Sequence, residues 1–143
     1  VNLSNHFTLD EFTTSQNAAR LGLDNNPPPE VIERLKRTAL GLEMVRALLG
    51  APIHINSGYR SPVVNRAVGG VANSQHVTGE AADIICPGFG TPAEVVRAIV
   101  ASKGIPFDQC ILEFNSWCHI SFTDNGPRRQ ALVIDHSGTR AFA

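Results

Sequence analysis

The stretch between Pro29 and Gly50 restricts the possible folds more than any other part of the chain. Its apolar residues Ile32, Leu35, Ala39, Leu42, Val45 and Leu49 recur at steps of three and four, the stripe of an amphipathic helix. Pro27-Pro28-Pro29 stiffens the approach to this helix and Gly50 ends it. Such a stripe needs a second layer to cover it, and the later chain offers one. Ile53 and Ile55 alternate with His54 and Asn56 as in a half-buried strand. Ala81 to Ile85, Ile111 to Glu113, Trp117 to Thr123 and Ala131 to Asp135 are further strand candidates, the last three separated by Asn-Ser and Asp-Asn-Gly-Pro turn signals. Helices that come first and strands that cluster later, with hairpin-length gaps, predict an α+β fold. Its form is a small, mostly antiparallel sheet with helices packed on one side.

Shorter elements carry their own start signals. Thr8-Leu9-Asp10-Glu11 has the spacing of a capping box, which predicts a short helix to about Gln16. Ser61-Pro62 reads as N-cap and first residue of a helix that ends at Gly69-Gly70. Thr91-Pro92-Ala93-Glu94 combines both devices and opens a helix to about Ser102.

A chain of 143 residues is expected to form one domain over residues 1–143, as a monomer. With 43% hydrophobic and 17% charged residues it is neither disordered nor a coiled coil. Its net charge of −1 provides no field to hold a phosphate backbone or an anionic surface, so neither nucleic acid nor membrane is expected as a partner. Its uncharged runs are broken by polar residues and fall short of the roughly 20 apolar residues of a membrane span. Val1 to Phe12 lacks the pattern of a secretory signal. Cys86, Cys110 and Cys118 have no Cys-x-x-Cys spacing, and reduced, core-filling thiols are expected.

The chemistry concentrates between Ser74 and Asp83. In a strand over 81–85, period two puts Ala81, Asp83 and Ile85 on one face, and small Ala81 leaves room beside the carboxylate. Gly79 can adopt the positive φ that folds the chain back and brings His76 towards Asp83. In the strand that starts at Trp117, His119 shares a face with Trp117 and Ser121, opposite Cys118, Ile120 and Phe122. Two His and one carboxylate, with a further position for water, are the donor set of a catalytic rather than a structural zinc site. The alternative is an Asp that caps a turn and two isolated histidines in ordinary hydrogen bonds. His6, His54 and His136 are read as ordinary.

Ser-x-His-x-x-Gly-x-Ala-x-Asp over Ser74 to Asp83 is preceded by Ser57-Gly58-Tyr59-Arg60-Ser61-Pro62 and followed by Trp117-Cys118-His119. Together these resemble the zinc D-alanyl-D-alanine metallopeptidase family, which includes D-Ala-D-Ala carboxypeptidases, dipeptidases and phage endolysins that cut L-alanoyl-D-glutamate bonds. The chain is most similar to a short, phage-associated branch. The likeness there extends to Phe7-Thr8-Leu9-x-Glu11, Asn25-x-Pro27-Pro28-Pro29 and Ile111-Leu112-Glu113-Phe114, and covers about residues 5 to 123. The resemblance implies Zn2+ held by His76, Asp83 and His119, the α+β fold shared with the hedgehog signalling domain, and a peptidoglycan stem peptide as substrate. It also implies Arg60 at the substrate carbonyl, with Ser74 and Gln75 lining the same pocket. Asn65 and Trp117 are candidate groove residues that would bind substrate, and a core position is the equal alternative for Trp117. A bacterial cell-wall or phage-associated location goes with it.

One departure bears on mechanism. Relatives place an acidic residue three positions before the last His, where this chain has Ser116, which has no useful basicity. Glu113 is the nearby acid. With a three-residue loop over 114–116 it would pair with Trp117 and share the face of His119; with a two-residue loop it would pair with Cys118 and point away. The first arrangement is the expected one, and Glu80 is a weaker candidate. Zinc-dependent peptidase activity on peptidoglycan is therefore the expected function. A non-catalytic, zinc-bearing wall-binding or phage structural module is the alternative that Ser116 motivates.

Overall fold

A computed structural model describes residues 1–143. Six strands form one sheet: β1 (His54–Ser57), β2 (Ala81–Ile85), β3 (Gln109–Glu113), β4 (Trp117–Ser121), β5 (Gln130–Asp135) and β6 (Gly138–Ala141). Their order across the sheet is β1-β2-β4-β3-β5-β6. Every neighbouring pair is antiparallel except β3 with β5. The fold is therefore α+β with a mixed, largely antiparallel sheet.

Helix α3 (Pro29–Leu49) is the amphipathic helix expected from the apolar stripe. It buries Val31, Leu35, Ala39, Leu42, Val45 and Leu49, whereas Ile32 is only half-buried. Gly50, at φ +68°, adopts the left-handed turn that closes it. Helix α6 (Pro92–Ala101) starts at the Thr91–Glu94 capping box and buries Val95, Val96 and Ile99. These residues share one hydrophobic core with Ala82 and Ile84 of β2, Cys110 and Leu112 of β3, and Cys118 and Ile120 of β4. Strand parity then sends Asp83, Glu113 and His119 to the opposite face. The strand alternation that builds the core thus also collects the polar side chains. All three cysteines are free and buried in this core.

The N-terminal segment differs from the expected single helix to Gln16. Helix α1 (Leu9–Thr13) stops early, and α2 (Gln16–Leu21) begins after a break. The Thr13 and Thr14 hydroxyls donate to the carbonyls of Leu9 and Asp10, and Ser15 Oγ accepts from the Ala18 N–H. Three consecutive hydroxyl residues thus offer the backbone local partners that end one helix and start another. Ser61 caps α4 (Pro62–Ala67) as its sequence indicated. The strand expected to run to Thr123 ends at Ser121. Two elements carried no legible signal. Strand β6 is exposed along its whole length and so lacks an apolar alternation; α5 (Gln75–Thr78) is a single turn.

Candidate metal centre

Three elements converge on the polar face of the sheet. Asp83 on β2 and His119 on β4 are direct partners in the antiparallel ladder, and His119 Nδ1 lies 3.0 Å from Asp83 Oδ1. The third group arrives on α5. Ser74 caps that turn by accepting from the His76 N–H, and Gly79, at φ +83°, closes it and leads into β2. A Cβ at Gly79 would lie 2.9 Å from Val31 Cγ1 on α3, so both the backbone angle and the packing call for glycine. The Thr38 hydroxyl of α3 donates to the Gly79 carbonyl at 2.7 Å and pins the same corner. His76 Nε2 then stands 3.4 Å from Asp83 Oδ1.

Ligand atoms of His76, Asp83 and His119 all lie within 4.8 Å of one another, a spacing one metal ion can span. Their orientations agree with that use. His76 Nδ1 donates to the Gly58 carbonyl at 2.7 Å, so Nε2 is the ring nitrogen that faces Asp83. His76 is buried, and its ring meets that of His119 edge to face at 5.1 Å between centroids. Burial alone would raise the Asp83 carboxyl. Hydrogen bonds from His119 and His76, together with their charge, outweigh it and hold Asp83 well below the usual carboxylate range. An anionic oxygen between two imidazole nitrogens fits a divalent, zinc-type ion.

Glu113 pairs with Trp117 across the β3–β4 hairpin, and its loop spans residues 114–116. This register places Glu113 Oε1 3.6 Å from His119 Nδ1. The turn requires Phe114 and Asn115 at φ +52° and +54°. Asn adopts this conformation readily; for Phe it costs on the order of 1–2 kcal/mol. Ser116 is exposed and donates from its hydroxyl to the Phe114 carbonyl, so it serves the turn. The Trp117 indole N–H donates to Glu113 Oε1 at 3.2 Å and aims the carboxylate. Glu80, the other acid considered, accepts from the Thr78 hydroxyl at 2.6 Å.

A model of the peptidase M15 family matches residues 5–121. The chain belongs to the peptidase M15 family. No curated protein matches the chain. This M15 member thus has a peptidase's ancestry, and the match ends at the close of β4, before β5 and β6.

A cleft of about 340 Å³ opens beside the centre, lined by Ser74, Gln75, His119 and Arg128 among others. Arg60 does not line this cleft but is bonded to Ser74, which does. Its Nη2 donates to Ser74 Oγ at 3.3 Å and its backbone N–H to the His76 carbonyl at 3.1 Å. Its Nε is buried without an acceptor. An unmade hydrogen bond of this kind costs about 1–3 kcal/mol. Arg60 also lines a larger cleft of about 590 Å³ along β1, which none of the three proposed ligands lines. Asn65, expected in the groove, is instead buried, and its Nδ2 braces the Val71 carbonyl at 2.8 Å. No motif marks Asp108, a buried acid that links Gln75 to Arg128. A lone Asp ahead of a strand carries no pattern.

Proposed function

We propose that this M15 peptidase is zinc-dependent and cleaves peptidoglycan stem peptides, either as a D-Ala-D-Ala carboxypeptidase or as an endolysin-type endopeptidase. The observation that carries the proposal is the convergence of His76, Asp83 and His119 with the Glu113 carboxylate 3.6 Å from His119 Nδ1. In this reading the three residues hold the ion. Zinc, when bound, supplies Lewis-acid polarisation of the scissile carbonyl and a lowered pKa for the attacking water.

The chain's own residues supply the rest. Glu113 accepts the proton of the attacking water and returns it to the departing amine, and the Trp117 indole holds the carboxylate in place for both transfers. Arg60, tied to Ser74 Oγ and to the His76 carbonyl, takes the part of stabilising the developing oxyanion in this reading. Ser74 and Gln75 line the substrate side. The non-catalytic alternative took its motive from Ser116, and the position of Glu113 supplies an acid by another route.

The test is direct. Purified protein with one equivalent of zinc should release peptides from cell walls, identified by mass spectrometry of the digest. Glu113→Gln should abolish release and keep the metal. Capture on walls with no released peptide at any pH would leave the binding-module alternative standing.

A further inference from the structure

Asp108 lies just before β3 with 3% of its surface exposed. Its carboxylate receives four donors. Oδ1 accepts from the Arg128 backbone N–H at 2.9 Å and from Arg128 Nε at 3.0 Å. Oδ2 accepts from Arg128 Nη2 at 2.7 Å and from Gln75 Nε2 at 3.0 Å. One buried acid thereby fixes the orientation of two side chains from segments far apart in sequence. Bidentate pairing of this kind locks the plane of a guanidinium.

The arrangement leaves Arg128 with a free side. Nη1 has no protein acceptor, and the side chain is 55% exposed although its inner edge is locked. It lines the same cleft as His119 and Gln75, and that lining contains no acidic residue. A preoriented cation therefore faces the space where a substrate beside the metal centre would extend. Arg128 also lies beyond the residues matched by the family model.

The chemistry of stem peptides supplies a matching anion. A terminal D-Ala carries its free α-carboxylate on the carbon bonded to the scissile nitrogen. A D-Glu that continues the chain through its γ-carboxyl keeps a free α-carboxylate on the equivalent carbon. Both bonds open to a peptidase of this substrate class thus present the same group at the same place.

We propose that Arg128, fixed by Asp108, is a specificity residue that reads a free α-carboxylate on the residue whose nitrogen departs. The proposal rests on the peptidase reading above and narrows it. Substrates in which that carboxylate is amidated are discriminated against, and Asp108 acts as the positioning residue.

The experiment compares the zinc-loaded chain with its Arg128→Gln and Asp108→Asn variants. Three synthetic stem pentapeptides are used: one ending in D-Ala-D-Ala, its C-terminal amide, and one with D-isoglutamine in place of D-Glu. Turnover and calorimetric binding are both measured. The expected result is a preference for the free acid over one of the amides of about 10- to 100-fold, the scale of one charge-assisted hydrogen bond. Which amide is discriminated against tells terminal D-Ala from D-Glu. In Arg128→Gln the acid-to-amide ratio collapses towards one. Asp108→Asn raises KM for the acid more than it lowers kcat. Equal acid-to-amide ratios in the parent and Arg128→Gln, in turnover and in binding, overturn the proposal. Should the chain cleave nothing, the peptidase reading fails and binding alone decides. An Arg128-dependent preference for the acid upholds carboxylate recognition; no preference, or no binding, sinks it. Arg128 is exposed, so its variant remains decisive even if Asp108→Asn does not fold.

Discussion

Asp83 and His119 sit directly opposite each other on adjacent antiparallel strands, with His119 Nδ1 3.0 Å from Asp83 Oδ1. The backbone ladder therefore sets their separation before any side-chain packing acts. Only His76 has to be brought in from outside the sheet, and one turn of helix closed by Gly79 does this.

Asp83→Asn keeps the size of the side chain but removes the anionic donor. Zinc affinity should fall at least about 10-fold, the lower range for losing even an outer partner of a metal ligand. Competition with a chromophoric chelator measures it. Parent-like affinity would remove Asp83 from the donor set.

Glu113→Gln should lower kcat by about 10²- to 10⁴-fold, the range for losing a general base. Trp117→Phe removes the indole N–H that aims this carboxylate and keeps an aromatic ring in its place. A net hydrogen bond of about 0.5–1.5 kcal/mol corresponds to roughly 2- to 10-fold in kcat. Steady-state kinetics with metal content measured alongside separates the two. A Trp117→Phe loss as large as that of Glu113→Gln would contradict the aiming role.

Gly79→Ala places a Cβ at φ +83° and 2.9 Å from Val31 Cγ1. Destabilisation of about 1–3 kcal/mol is expected in urea unfolding of the metal-free protein. Because this turn carries His76, zinc should also raise the melting temperature less in the variant than in the parent. An unchanged unfolding midpoint would mean that the corner relaxes without strain.

The hydrogen bonds from Arg128 hold the Asp108 carboxyl at about 2, below its ordinary 3.8, although burial acts the other way. A carboxyl lowered on folding contributes stability that is fully present above its unfolded value. That contribution disappears as pH falls through the folded value. The stability difference between the parent and Asp108→Asn should therefore be constant from neutral pH to about 4 and shrink between about 4 and 2. Urea unfolding across that range measures it. A difference that persists undiminished at pH 2 would show that the ion pair is not its source.

Much of this architecture was legible in residue patterns. Strand parity separated Asp83 and His119 from Ala82, Ile84, Cys118 and Ile120, because alternation has a fixed period of two. The capping boxes at Thr8 and Thr91 and the stop at Gly50 are local devices, and each appears where its residues stand. The break between α1 and α2 was missed because hydroxyl competition for backbone groups is a balance of small terms. Strand β6 was missed because an exposed edge has no buried face to mark it.

The sequence by itself determined which residues of β2 and β4 share a face and where the principal helices begin and end. Those properties depend on neighbours a few residues away and on the fixed geometry of the backbone. Only the tertiary structure decided that His76 Nδ1 is held by the Gly58 carbonyl, that Glu113 pairs with Trp117, and that Asp108 joins Gln75 to Arg128. Those relationships depend on hairpin register and on packing between separate segments. There a shift of one residue or of an ångström changes the partner, and no local pattern encodes the outcome.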